Sequence, residues 1–184
     1  MPLMSRLSII TKVLKTIIFT IGHSTKPISE FIELLKSYEI KKVVDIRTIP
    51  KSRHNPQFNG DELGKSLNEA GTGYLQLKGL GGLRHPRKDS PNTAWRNASF
   101  RGFADYMQTE EFEESLKKLI EISEIQTTAI MCAEAVPWRC HRSLIGDALL
   151  VRGIEVKHII SAHSIKDHTL TPWAKVKGKK ITYP

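Results

Sequence analysis

Five apolar runs of strand length recur along this chain, and amphipathic stretches with helical periodicity separate most of them. The runs are TIIFTIG, KKVVDIR, YLQLKGL, TTAIMCA and IEVKHIIS. Between them, PISEFIELLKSYEI, DELGKSLNEAG, FADYM, EEFEESLKKLIEIS and HRSLIGDALLVRG place apolar residues at helical spacing, with Gly71 and Gly153 positioned as C-terminal stops. Such alternation predicts an α/β fold, a Rossmann-like three-layer sandwich with a mainly parallel sheet. The chain has 184 residues, enough for one domain with a real core. The expected layout is one α/β domain over residues 17–165, an N-terminal extension at 1–16 and a solvated basic tail at 166–184.

Each of the first four runs ends in polar residues of the kind found in sites. Gly22, His23, Ser24 and Thr25 close the first, Asp45 and Arg47 the second, Gly79 to Gly82 follow the third, and Cys132 to Glu134 close the fourth. Ligands of open α/β sheets bind beyond the carboxyl ends of the strands, so one shared crevice is expected. Loops are polar in any protein, and four unrelated loop ends are the competing reading.

Both cysteines lie in CAEAVPWRCHR, Cys132 to Arg142. Two cysteines and no signal-peptide pattern point to a reducing, cytoplasmic setting and not to a disulfide scaffold. A strand-end cysteine followed by an arginine at a helix start resembles the phosphate cradle of protein tyrosine phosphatases. Six residues separate Cys132 from Arg139, one more than in those enzymes, Glu134 adds negative charge and Pro137 removes an N–H donor, so that reading is set aside. Cys132, Cys140 and His141 as zinc ligands lack the usual knuckle spacing, and no metal is expected. Packing alone accounts for Cys132 as well as chemistry does.

The motifs TIGHST, DIR with the following Pro50, Ser52 and Arg53, LGG at Leu80 to Gly82, and CAE through CHR resemble, in order and spacing, the uncharacterised family called domain of unknown function 488. The resemblance extends from about Thr16 to about Ile160. It implies that these positions form one site, and it supplies no substrate.

Twenty-eight Lys and Arg against 19 Asp and Glu give a net charge of +9, which favours anionic partners. Arg47, Arg53 and Arg142 are the candidate phosphate clamp, with Ser24, Thr25, Asp45, Cys140 and His141 as further ligand-binding candidates. Glu134 is placed as a general base or as the partner of an arginine, His23 as an aid to proton transfer, and Cys132 as the alternative catalytic group. Arg142 falls in the first turn of a helix, where a cation opposes the dipole and needs a compensating anion, either Glu134 or a bound phosphate. The irregular segment from Gly79 to Arg101 carries Arg84, Arg87, Lys88 and Arg101 beside Trp95 and Phe100, a combination suited to nucleic acid. Trp95, Trp138 and Trp173 all fall in or beside loops, where they suit either base stacking or covering the edge of the core.

The resulting expectation is a crevice that binds a nucleotide or nucleic acid, with hydrolysis as the reaction class. Two alternatives stay open: a non-catalytic nucleic-acid-binding module, and a thiol-dependent enzyme using Cys132 or Cys140. No Walker loop, GxGxxG or HExxH occurs, and the sequence specifies no cofactor.

Overall fold

The computed structural model describes residues 15–184; the N-terminal stretch expected as an extension lies almost wholly outside the described residues. The expected strands and helices form in order: β1 (Ile17–Gly22), α1 (Ile28–Ser37), β2 (Lys42–Asp45), α2 (Gly60–Glu69), β3 (Gly73–Gln76), α3 (Ala98–Tyr106), α4 (Glu110–Ile125), β4 (Thr128–Cys132), α5 (Arg142–Leu150) and β5 (Glu155–Ser161). Three more strands follow, β6 (Ser164–Asp167), β7 (Lys175–Lys177) and β8 (Lys180–Thr182). The main sheet runs β3-β2-β4-β1-β5-β6, parallel throughout except for the antiparallel edge strand β6.

Period-two alternation along β4 divides the core in two. Ala129 and Met131 pack with Phe31, Leu34 and Leu35 of α1 and Leu63 and Leu67 of α2. Ile130 and Cys132 pack on the other face with Phe103 of α3, Phe112 and Leu116 of α4, and Leu144 and Ile145 of α5. Helices therefore cover both faces, and the Rossmann-like three-layer sandwich is the fold. Strands buried on both sides read as continuous apolar runs, which is why β4 is fully buried along its length.

The connections β1-α1-β2 and β4-α5-β5 leave neighbouring strands for opposite faces of the sheet. A crevice opens between β1 and β4 at their carboxyl ends for that reason.

The expectation of a solvated tail is corrected. β6 extends the sheet along β5, β7 pairs with β8, and Ile181 and Tyr183 are buried in the core. Asp147 of α5, itself fully buried, holds this segment: Oδ1 accepts from His168 Nε2 at 2.8 Å and from the Thr171 N–H at 3.0 Å, and Oδ2 accepts from the Tyr183 hydroxyl at 2.8 Å. Lysines on the exposed faces hide a hairpin that has few inward residues. The segment after Gly79 is irregular but anchored. Asp105 accepts from the Arg87 N–H, Ser90 Oγ and Asn92 Nδ2, and Asn92 Oδ1 accepts from the Tyr183 N–H.

Tyr183→Ala should therefore lower the unfolding free energy by about 3 to 5 kcal/mol, since it removes a buried ring and a partner of Asp147. Lys179→Ala, on the exposed turn, should change it by less than about 0.5 kcal/mol. Urea unfolding of both variants checks this; equal, small effects would mean that the C-terminal segment adds nothing to the core.

Candidate functional site

A cavity of about 370 Å³ occupies the crevice. His23 from the end of β1, Arg47 and Lys51 after β2, Gly82 after β3, and Cys132, Glu134, Arg139, Cys140 and His141 after β4 line it. The four strand-end groups thus meet in one place. Asp45 and Arg142 lie behind the wall and act on it through other groups.

Asp45 is fully buried and forms an ion pair with Arg47, Oδ2 to NH2 at 2.6 Å, with Nε donating to Oδ1 at 2.9 Å. The Tyr74 hydroxyl also donates to Asp45, at 2.7 Å. Arg47 NH2 donates to the Phe58 carbonyl and NH1 to His23 Nε2 at 3.3 Å. His23 Nδ1–H donates to the Ser24 carbonyl at 2.8 Å, and the ring stacks on Phe58 with 4.2 Å between centroids. Both ring nitrogens are engaged in the neutral tautomer that this pattern requires. Burial, reinforced by the charge of Arg47, lowers the His23 pKa to about 4 against a raising bond to Ser24. Ser24 takes a left-handed backbone, φ 48°, at this corner.

Arg142 is the largest fully buried side chain, and the expected carboxylate or phosphate partner is replaced by main-chain carbonyls. NH2 donates to the Glu134 carbonyl at 2.7 Å, NH1 donates to Thr20 Oγ1 at 3.2 Å, and Nε has no partner among the described residues. The Glu134 carbonyl passes so close to Gly22 that a Cβ there would collide with it. Glycine is required at that strand exit by close approach of backbone. The Glu134 carboxylate itself is exposed and makes no hydrogen bond or ion pair among the described residues.

The two cysteines are free thiols with their sulfurs 2.8 Å apart. His141 Nε2–H donates to the Leu80 carbonyl at 2.9 Å, which leaves Nδ1, 3.5 Å from Cys140 Sγ, to accept the thiol proton and, once it holds that proton, to donate to the thiolate. Gly82 packs against this ring and a larger residue would displace it. The backbone N–H of Arg142, at the start of α5, donates to Cys140 Sγ at 3.4 Å. Burial alone would raise the Cys140 thiol, but the bonds from Cys132 and His141 and the charge of Arg142 hold it well below the usual range. Burial and the bond to Cys140 push Cys132 well above it. Of the two, Cys140 is therefore the thiol that ionises first.

Other expectations fare differently. Arg53 is exposed and lies outside the cavity wall, so with Arg142 enclosed the three-arginine clamp is not assembled. Neither Ser24 nor Thr25 caps α1, whose N-cap is Pro27, and Thr25 is exposed. Of the loop cations, Arg84 lies over the Tyr106 ring at 3.5 Å and Arg87 pairs with Asp89. Lys88 is exposed and Arg101 is half-buried on α3. Lys51 joins the wall without any local sequence signal, and Arg139, weighed above only against the phosphatase spacing, joins it from within the Cys132 to Arg142 stretch. No group of three or more His, Cys, Asp or Glu among the described residues is placed to hold a metal ion, and none of their helices is long and apolar enough to cross a membrane.

His158 is a second buried neutral imidazole; burial first, then the charges of His168, Arg142 and Lys166, lower its pKa to about 3. The unfolded chain takes up protons at these histidines near pH 6.5 while the folded chain does not, so stability falls as pH drops from 6.5 towards 4. Each histidine should contribute a slope of up to about 1.4 kcal/mol per pH unit in that window. Unfolding titrations at several pH values should give His158→Gln a shallower slope than the parent by about that amount. Identical slopes would show that His158 is charged in the fold.

No curated protein and no solved structure shows a significant match to this chain. The family match begins after the His23 corner, at Pro27, and takes in the remaining strand-end groups and the cysteine stretch. A family model described as "Domain of unknown function DUF488" matches residues 27–149, and the chain belongs to that family.

Proposed function

We propose that the cavity binds a small anionic ligand, a phosphate-bearing one among the candidates, and reduces or transfers a group from it by dithiol chemistry. The observation that carries this reading is the pair of sulfurs at 2.8 Å in the cavity wall, with His141 Nδ1 at 3.5 Å. Nucleophile, base and an orienting carbonyl stand in the order that an activated thiol needs. The earlier candidates for hydrolysis are less well placed, because His23 has both nitrogens occupied and the exposed Glu134 carboxylate has no partner to orient it among the described residues.

Lys51 and Arg139 in the wall supply the attraction for an anion, opposed by Glu134, while the charge of Arg47 is balanced by Asp45. His141 Nδ1 takes the Cys140 proton. Cys140 Sγ attacks the electrophilic atom of the ligand, a sulfur–ligand bond forms, and the leaving group departs with the electron pair of the broken bond and the proton from His141. Cys132 Sγ then attacks Cys140 Sγ, a disulfide forms, and the remaining fragment leaves with its bonding pair and the Cys132 proton. Two electrons pass from the dithiol to the ligand, and a small-molecule thiol restores the dithiol by becoming a disulfide itself.

Iodoacetamide alkylation followed by peptide mass spectrometry tests this. Cys140 should be modified first, at pH values below the ordinary thiol range, and inorganic phosphate should slow the reaction several-fold. That protection should be lost in Lys51→Ala and Arg139→Ala, both exposed positions that leave the fold intact. Mild peroxide should give a Cys132–Cys140 disulfide. Cysteines that react only in denaturant, or a rate indifferent to phosphate, would overturn the proposal.

A further inference from the structure

The three tryptophans of the chain come from separate irregular segments, yet all three line a second cavity of about 370 Å³. It opens beside β5 and β6 and shares no lining residue with the cysteine cavity. Trp138 and Trp173 are 58% and 44% exposed, among the largest exposed apolar side chains of the described residues, and they border the same space. Trp95 is more enclosed: it stacks on Phe100 with 5.0 Å between centroids and meets the edge of Trp173 at 5.3 Å. Its indole N–H has no partner among the described residues. Exposed aromatic rings bordering one cavity mark a place where a flat ligand replaces water.

The polar groups narrow the class. Lys166 Nζ lies 5.2 Å from the centre of the Trp138 ring and has no ion-pair partner among the described residues. Asp167 is paired with Lys157 at 2.7 Å, so the cavity's one carboxylate is already compensated. The charge of Lys166 beside the Trp138 ring would repel a quaternary ammonium ligand. The histidines in the wall have both ring nitrogens used: His158 Nδ1 is bonded to Thr20 Oγ1, His158 Nε2 to His168 Nδ1, and His168 Nε2 to Asp147. What fits is an aromatic ring carrying negative charge, stacked on indole and steered by one lysine.

We propose that the cavity lined by Trp95, Trp138 and Trp173 binds the nucleobase of a nucleotide unit, with Lys166 engaging its phosphate. This rests on a different surface from the dithiol reading, and failure of either leaves the other standing. The unit is either a free nucleotide or part of a single strand.

Calorimetric titration at low ionic strength with adenosine monophosphate, adenosine and a short single-stranded deoxyadenosine oligonucleotide decides it. Saturable binding of adenosine monophosphate is expected, weakened about tenfold or more in Trp138→Ala and in Trp173→Ala, in keeping with about 1 to 3 kcal/mol per stacked base. Lys166→Ala should reduce its affinity to that of adenosine. An oligonucleotide affinity far above that of the nucleotide, falling steeply with salt, identifies a strand-binding site; equal affinities identify a nucleotide site. Both tryptophans are exposed, so the variants keep the fold. Absence of binding by all three probes, or binding unchanged in both tryptophan variants, overturns the proposal.

Discussion

The buried guanidinium of Arg142 is the contact on which the site depends. It sits at the start of α5, enclosed between β1 and the loop after β4, and its terminal nitrogens donate to the Glu134 carbonyl and the Thr20 hydroxyl. A charge buried without a carboxylate partner is costly, so the carbonyls that solvate it are held firmly in place. That anchoring draws the Glu134 carbonyl against Gly22 and fixes the loop between the two cysteines. The same residue offers its backbone N–H to Cys140 Sγ. One side chain thus ties β1, β4 and α5 together at the point where the chain leaves neighbouring strands for opposite faces.

From this anchor the electrostatics of the cavity follow. Against burial, the hydrogen bonds of Cys132 and His141 first, and then the positive charge of Arg142 and the N-terminal end of α5, favour an anion at Cys140. Burial first, with the charge of Arg142 a smaller addition, disfavours protonation of His23 and His158 on either side. A chain of hydrogen bonds through Thr20, His158 and His168 carries the anchor outward to Asp147 and the C-terminal segment. Residues 137–143 contribute to both cavities, Arg139, Cys140 and His141 to one and Pro137, Trp138 and Ser143 to the other.

The sheet and its helices were legible because their signal is local: apolar runs such as residues 128–132 and helical spacing such as Phe112, Leu116 and Leu119 need only neighbouring residues to be seen. The grouping of polar residues at strand ends was legible too, since a parallel sheet brings those ends to one side. The strands after Ser161 were not, because an edge strand and a three-residue hairpin bury very few side chains and read as a lysine-rich tail. Arg142 drew notice as a misplaced cation, but its partners are backbone carbonyls, which leave no mark in the residue types. Nor does sequence show that Cys132 and Cys140 touch, or that tryptophans at 95, 138 and 173 share a wall; the first depends on how the loop between the cysteines folds back and the second on how distant segments cross.

The ultraviolet absorbance of thiolate, followed against pH in the native protein and in Arg142→Gln, addresses the anchor most directly. The account predicts one thiolate in the native protein at a midpoint below the ordinary thiol value of 9.0, moved upward in the variant, with Cys140→Ser abolishing the low-pH signal and Cys132→Ser retaining a thiolate. Two thiols titrating together at or above that value in the native protein, unchanged by loss of Arg142, would contradict it.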